Sequence, residues 1–483
     1  MSSKKAFFFS LILFFLTFSV YSQKNSKNFK GTQITIKINF TKDSLIYLVG
    51  YYGERKVLID SAFKEKKISD TFVFNLDSVL PSGIYLISNQ RRMQLLEFVI
   101  DKSHIFTIET DTLDIINTVK VTGSPETVIF HEYVRGLTKL QYDIKNVRDS
   151  LNIAQKTKNI DGYNNLISKY KLLVSNITNY SKNYIEKYPN ELFAKALKMN
   201  NEIVMPPLPL LPNGSGDSTW GWYYYKAHYW DNVDLTDERM LRTPIFFPKF
   251  KTFINELIIQ HPDSLMIELD NFIEKTRPSK GMFKYMVSWL TNHYQTSNIV
   301  GFDAVFVHLV EKYFLTNQVD WITENDMRII TKRAGQLKPI LIGEIIPEII
   351  MPDTSGKLIS NHRIDKKYTI MWFWDPDCTH CVEETPKLIK YYNKYKDTLN
   401  LEVFAVSLDK DFNRWKKYLR DNNISWLNVG GDKANIDYVT VFDVLTTPVI
   451  FVFDEKKRII LKNIPVENIF DILLRENSIP FEK

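Results

Sequence analysis

From residue 34 the chain alternates. Ile34, Ile36, Ile38 and Phe40 are apolar, and Thr35, Lys37 and Asn39 between them are polar. A period of two is what a half-buried strand requires, because successive side chains point to opposite faces. Further short stretches over 44–51, 56–62, 71–76, 83–87, 95–100 and 105–110 predict more strands, several separated by Asn, Gly, Pro or Asp. So many short strands within 31–121 predict a small all-β sandwich or barrel.

Past residue 125 the period changes. Phe130, Tyr133, Leu137, Leu140 and Ile144 fall three and four apart, as on one face of a helix. Helical patterns recur over 160–188, 190–199, 250–260, 263–275, 281–294, 302–315 and 324–335, which predicts a central all-α domain over 125–336. Residues 206–222 interrupt it with Pro, Gly and Ser and predict a loop or linker. The aromatic run WGWYYYKAHYW over 220–230 reads as helix packing or domain docking; exposed, the same rings would hold a peptide or glycan. A third domain, 342–483, alternates strand and helix. Strands are predicted over 368–374, 401–408, 449–453 and 458–462, and helices after the first strand to 395, over 413–422 and over 466–474. That alternation predicts α/β layers, so the whole chain is expected to be multidomain α+β.

The chain has 483 residues, room for several cores. Its start changes the setting. Residues 1–5 are basic, 6–20 are apolar, and Val20-Tyr21-Ser22 offers compact residues at a cleavage site, the pattern of a signal peptide over 1–22. The apolar run falls short of the roughly 20 residues a spanning helix needs. Export to a periplasm or cell envelope is the expectation, without membrane association after cleavage. Loss of Lys4 and Lys5 would take the formal charge from +6 to +4, too mild for a nucleic-acid partner.

Export sharpens the meaning of the cysteines. There are two in the chain, Cys378 and Cys381, in WFWDPDCTHCVEETP. They follow an apolar strand and open a helix. Cys378 falls at the helix N-terminus, where free N–H groups and the helix dipole favour a thiolate. Cys381 lies one turn on, placed to resolve a mixed disulfide at Cys378. His380 between them, as an imidazolium, would favour the thiolate further; Asp375 and Asp377 would oppose it. Other uses of the pair fit less well. A peroxiredoxin pattern fails at Asp375 and Met371, and a c-type heme site fails at Val382. A closed zinc site lacks its third and fourth ligands. Copper(I) held by two thiolates stays open. A structural staple across so short a loop adds little stability.

Here the sequence resembles a known family. Trp374 ahead of CTHC, Pro386 behind it, and Thr447-Pro448 before an apolar strand resemble thioredoxins. IPEIIMPDTSGKLIS followed by WFW and C..C..E.P is similar to their exported TlpA/ResA-like branch. The resemblance covers 342–483 and implies a thioredoxin-like α/β fold. It implies that Glu384 passes protons beneath the thiols, that Thr447-Pro448 is a cis-proline loop whose Thr447 backbone pairs with substrate, and that Trp374 and Pro448 shape the substrate face. It implies no cofactor beyond a redox-active Cys378–Cys381 disulfide, and no metal. Two positions depart from the family: Asp377 stands where an aromatic residue is usual, and Trp372 where thioredoxins keep a buried carboxylate. Residues 31–121 and the run around 220–244 resemble the β-domain and the helical domain of unknown function that precede such modules in Bacteroidetes-type envelope proteins.

The expected function is therefore thiol–disulfide exchange outside the cytoplasm, running as a reductase. Cys378 is the nucleophile, Cys381 the resolving thiol, and His380 and Glu384 tune and shuttle protons. The expected partners are a disulfide-bearing client and an upstream membrane thiol donor. The alternatives are an oxidant or isomerase, and an envelope binding protein whose Cys pair is idle or regulatory.

Overall fold

The structure, a computed structural model, describes residues 30–65, 70–431 and 433–480. The expected signal peptide lies outside these residues. Two units divide the chain: one holds 1–50, 56–184 and 191–193, the other 51–55, 185–190 and 194–483.

Eight strands open the chain: β1 Thr32–Asn39, β2 Leu45–Tyr52, β3 Arg55–Phe63, β4 Thr71–Leu76, β5 Gly83–Asn89, β6 Gln94–Ile100, β7 Ile105–Asp111 and β8 Lys120–Thr122. They form two four-stranded sheets, ordered β4-β1-β7-β8 and β3-β2-β5-β6. Ile34, Ile36 and Phe74 from one sheet and Leu48, Ile87 and Phe98 from the other share a single core, which makes this a sandwich. β1 alternates buried and half-buried residues along its length, as its sequence predicts. The alternation stops before Phe40. That residue takes a φ of 63° and is 70 % exposed, because the chain turns there and the Phe40 amide donates to Asp70. A left-handed residue cannot continue a strand.

The short helix α1 Ile115–Thr118 precedes the long pair α2 Pro125–Lys156 and α3 Ile160–Lys187. Ser124 caps α2 by accepting from the Thr127 amide, and Pro125 sits at the first turn, where a missing N–H costs nothing. Glu126 accepts from the amides of Lys102 and Ser103 at 3.0 and 2.7 Å, fastening the start of α2 to the β6–β7 turn.

α4 Leu192–Lys198 begins in the first unit and ends in the second, which continues with α5 Ser218–His228, α6 Phe246–Thr252, α7 Pro262–Thr276, α8 Lys280–Gln295, α9 Phe302–Leu309 and α10 Glu324–Leu337. α5 begins inside the stretch expected to be a linker. Asp217 starts it, its carboxylate accepting from the Thr219 and Trp220 amides at 2.9 and 3.2 Å. The aromatic run divides: Tyr229 and Trp230 are buried against Phe253, while Tyr223 is exposed. α6 and α9 each run on into a π-helical turn, Phe253–Leu257 and Val310–Phe314, where plain helix was expected.

The remaining elements are the hairpin β9 Ile350–Pro352 and β10 Leu358–Ser360, then β11 Tyr368–Trp374, α11 Thr379–Tyr395, β12 Leu401–Ser407, α12 Phe412–Asp421, β13 Leu427–Gly430, α13 Tyr438–Val441, β14 Val449–Asp454, β15 Ile459–Lys462 and α14 Val466–Glu476. Five strands form one sheet in the order β13-β12-β11-β14-β15. β11 lies at its centre, parallel to β12 and antiparallel to β14. Every residue of β11 is buried, which explains an unbroken apolar run where a half-exposed strand would alternate. Within this unit Arg333 of α10 grips Asp443 through both guanidinium nitrogens, and buried Lys462 pairs with Asp303 of α9 and donates to the Ile340 carbonyl.

Candidate active site

β11 delivers the chain to the site. After Trp374 the loop 375–377 turns, with the Asp377 amide donating to the Asp375 carboxylate at 2.8 Å and the Cys378 amide to the Asp375 carbonyl at 3.0 Å. Cys378 is itself the N-cap of α11, and its sulfur accepts from the Cys381 amide at 3.2 Å. The Cys378 thiol also donates to the Thr447 carbonyl at 3.2 Å. The Thr447-Pro448 peptide is cis. Cys378, Cys381 and Thr447 are thus brought together from the head of one helix and the loop before β14.

The two sulfurs differ. Cys381 is fully buried; Cys378 is partly exposed. Burial pushes the Cys378 thiol up. Hydrogen bonds from the Cys381 thiol, the Thr447 side chain and the Cys381 and His380 amides outweigh it, so the thiol lies below its ordinary value. Cys381 is pushed up to about 12, first by burial and then by its hydrogen bond to Cys378. One thiol is disposed to ionise while its neighbour keeps its proton. Alkylation of the reduced protein should therefore show one fast thiol. Its rate falls as protons return to the sulfur and levels off above a midpoint lower than the roughly 8.5 of free cysteine. A midpoint at or above the free-cysteine value would contradict the geometry.

The other expected residues are placed as follows. The His380 imidazole is turned to solvent, its side chain 80 % exposed and its Nδ1 3.4 Å from Glu383. Its amide, not its ring, serves the sulfur. Glu384 is half-buried, with one carboxylate oxygen on Lys387 and the other accepting from the Val466 amide at 3.3 Å. Trp374 is 2 % exposed and packs on Tyr418, so it supports the site from beneath and does not line a substrate face. Trp372, in the place of a buried carboxylate, lies in the core with it. Pro448 is half-buried beside Thr447.

One group was not foreseen. Asp377 pairs with Arg414 at 2.5 Å, and Arg414 also forks onto Asp409 with contacts of 2.7 and 2.5 Å. The Asp409 side chain is fully buried, and its hydrogen bond to Arg414 holds its carboxyl below the ordinary range. An unexplained carboxylate next to a nucleophile was the only available signal, and its partner lies 37 positions away.

Among the described residues, no group of three or more His, Cys, Asp or Glu is placed to hold a metal ion, and no helix is long and apolar enough to cross a membrane.

Residues 365–459 match the thioredoxin-like family, and residues 184–334 match a domain of unknown function, DUF5106. No curated protein matches the chain. Among solved structures, a domain of a possible thiol-disulfide isomerase from Cytophaga hutchinsonii is 36% identical; the match spans 29% of this chain and 94% of that one, with a TM-score of 0.27. The thioredoxin domain of a thiol-disulfide oxidoreductase from Bacteroides vulgatus is 26% identical over 29% of this chain and 98% of its own, with a TM-score of 0.26. A thioredoxin-like protein from Bacteroides caccae, 18% identical, matches over 57% of this chain and 99% of its own, with a TM-score of 0.44. The family match thus assigns a thioredoxin-like domain to residues 365–459 of this chain.

Proposed function

We propose that the protein is exported and reduces disulfides in client proteins outside the cytoplasm, with Cys378 attacking and Cys381 resolving. The observation that carries this reading is the split between the two thiols, one lowered and reachable, the other buried and raised. The Cys378 thiolate attacks one sulfur of the client disulfide, and the other client sulfur leaves as a thiolate that takes up a proton. Cys381 then gives up its proton and attacks the Cys378 sulfur. The second client thiol is released, the enzyme is left as a Cys378–Cys381 disulfide, and two electrons have passed to the client. Removing the negative charge on Cys378 lowers the barrier to ionising Cys381, so the second step becomes available once the first has occurred.

Resetting the enzyme requires an external dithiol, which an upstream membrane thiol donor would supply. Glu384 would take part in proton movement after release from Lys387 and the Val466 amide. Thr447 offers backbone beside the sulfur for pairing with an extended client.

The mixed disulfide tests the mechanism. Cys381→Ala should leave the first step intact and remove the second, so the variant should accumulate covalent client adducts that a reductant releases. No adduct with any disulfide-bearing protein would contradict these roles. The reduction potential tests the direction: a value near about −270 mV fits a reductant, and one near about −120 mV would reverse the assignment to an oxidant.

A further inference from the structure

A carboxylate beside a nucleophilic sulfur opposes its ionisation. Asp377 immediately precedes Cys378, yet its charge is already taken up, because Oδ2 accepts from Arg414 Nη1 at 2.5 Å. Arg414 is not a wandering surface cation. Its Nε and Nη2 hold both oxygens of Asp409, whose side chain is wholly buried. The Asp409 amide in turn donates to Ser407 at 3.3 Å, and Ser407 pairs in register with Trp374 at the end of β11. The guanidinium is therefore anchored from the same sheet that carries the cysteines, and one arm is left to reach the loop ahead of Cys378. Guanidinium does not lose its charge at any working pH, so Arg414 stays positive throughout the range in which Cys378 titrates.

We propose that Arg414 is a positioning residue for the exchange reaction, occupying Asp377 so that the carboxylate next to Cys378 does not oppose the thiolate. This rests on the function proposed above. The charged and titratable groups around Cys378 are Asp375 and Asp377 on its loop, His380, Cys381 and Glu383 on α11, and Asp409 and Arg414 from the β12–α12 side. Thr447, from the loop before β14, brings a hydroxyl and a carbonyl but no charge. His380 and Glu383 answer each other, and Asp375 accepts the Asp377 amide. Asp377 is the loop carboxylate that Arg414 contacts directly, while Asp375 meets only the field of the guanidinium.

The test is the rate of iodoacetamide labelling of Cys378 across pH in the reduced, full-length protein. Arg414→Gln should slow labelling at pH 7 about threefold and move the profile to higher pH, as a newly exposed neighbouring charge does at a solvent-screened site. Arg414→Lys should restore most of the rate, because the positive charge is kept. Asp377→Asn should label at least as fast as wild type, and adding Arg414→Gln to it should change little. A purely structural arginine would slow labelling equally with and without Asp377, and that result overturns the proposal. So does an unchanged rate in a cooperatively melting Arg414→Gln. Should that variant fail to fold because Asp409 is left unpaired, Asp409→Asn combined with Arg414→Gln replaces it in the same comparison. Wild-type labelling no faster than free cysteine would remove the function reading itself. Fast wild-type labelling that Arg414→Gln leaves untouched would remove only the role of Arg414.

Discussion

Cys378→Ser is expected to reduce insulin no faster than solution thiol alone, a loss on the order of a thousandfold or more in the protein's own contribution. The size follows from what is left behind. Cys381 remains a thiol in the variant, but it is fully buried and pushed up to about 12. Loss of the Cys378 sulfur would relieve part of that shift; burial, its largest cause, stays. A thiol near 12 has about one part in a hundred thousand ionised at pH 7, and a buried one meets no client. The serine hydroxyl is a far weaker nucleophile and cannot form the mixed disulfide on which the second step depends. Turbidity from released insulin chains, with dithiothreitol as donor, measures this directly. A variant that keeps even a tenth of the wild-type rate would mean that chemistry passes through Cys381 or elsewhere, and the two roles would have to be exchanged or abandoned.

Lys462→Met is expected to carry a large cost in stability away from the cysteines. The Lys462 side chain is 7 % exposed, pairs with Asp303 and donates to the Ile340 carbonyl at 2.9 Å. That pairing uses Asp303 Oδ2; the other oxygen, Oδ1, is buried with no hydrogen-bond partner. Methionine fills much of the volume but leaves a carboxylate uncompensated inside the fold. Breaking one side of such a pair costs about 3–5 kcal/mol, whereas replacing both sides with apolar residues of similar shape is often neutral or better. Lys462→Met alone should lower the melting temperature of the second unit by roughly 5–8 °C. Lys462→Met with Asp303→Leu should recover most of it. Calorimetry that finds the single variant within about 1 °C of wild type, or the pair no better than the single, would show that the contact carries little energy.

How much of this could be read along the chain depended on distance in sequence. β1 was legible because its period of two reports directly on one buried face. β11 was legible for the opposite reason, since a strand covered on both faces has no period to show. The cysteine pair declared itself through local geometry, a strand end followed by a helix start. Phe40 misled because it keeps the phase of the strand; the turn that expels it depends on Asp70, 30 residues away. Residues 218–222 were obscured by the prolines and glycines before them, although Asp217 is an ordinary helix-starting residue. Trp374 and His380 show the limit of naming a residue without its rotamer: one indole is swallowed by the core and one imidazole faces water, and nothing local decides either outcome. The Lys462–Asp303 contact joins residues 159 positions apart and the Arg414–Asp377 contact 37 apart, so neither leaves a mark on any sequence window.

β11 is held in register by β12 from Tyr368 through Trp374 and by β14 from Tyr368 through Phe373. Four residues past its end stands the Cys378 sulfur, the nucleophile of the proposed reaction. Its position is thus set from behind by a strand paired on both sides and from ahead by the helix it caps. In the proposed reaction most of the adjustment would then fall to the incoming disulfide, so one in a loosened chain would align more readily than one locked in a finished fold.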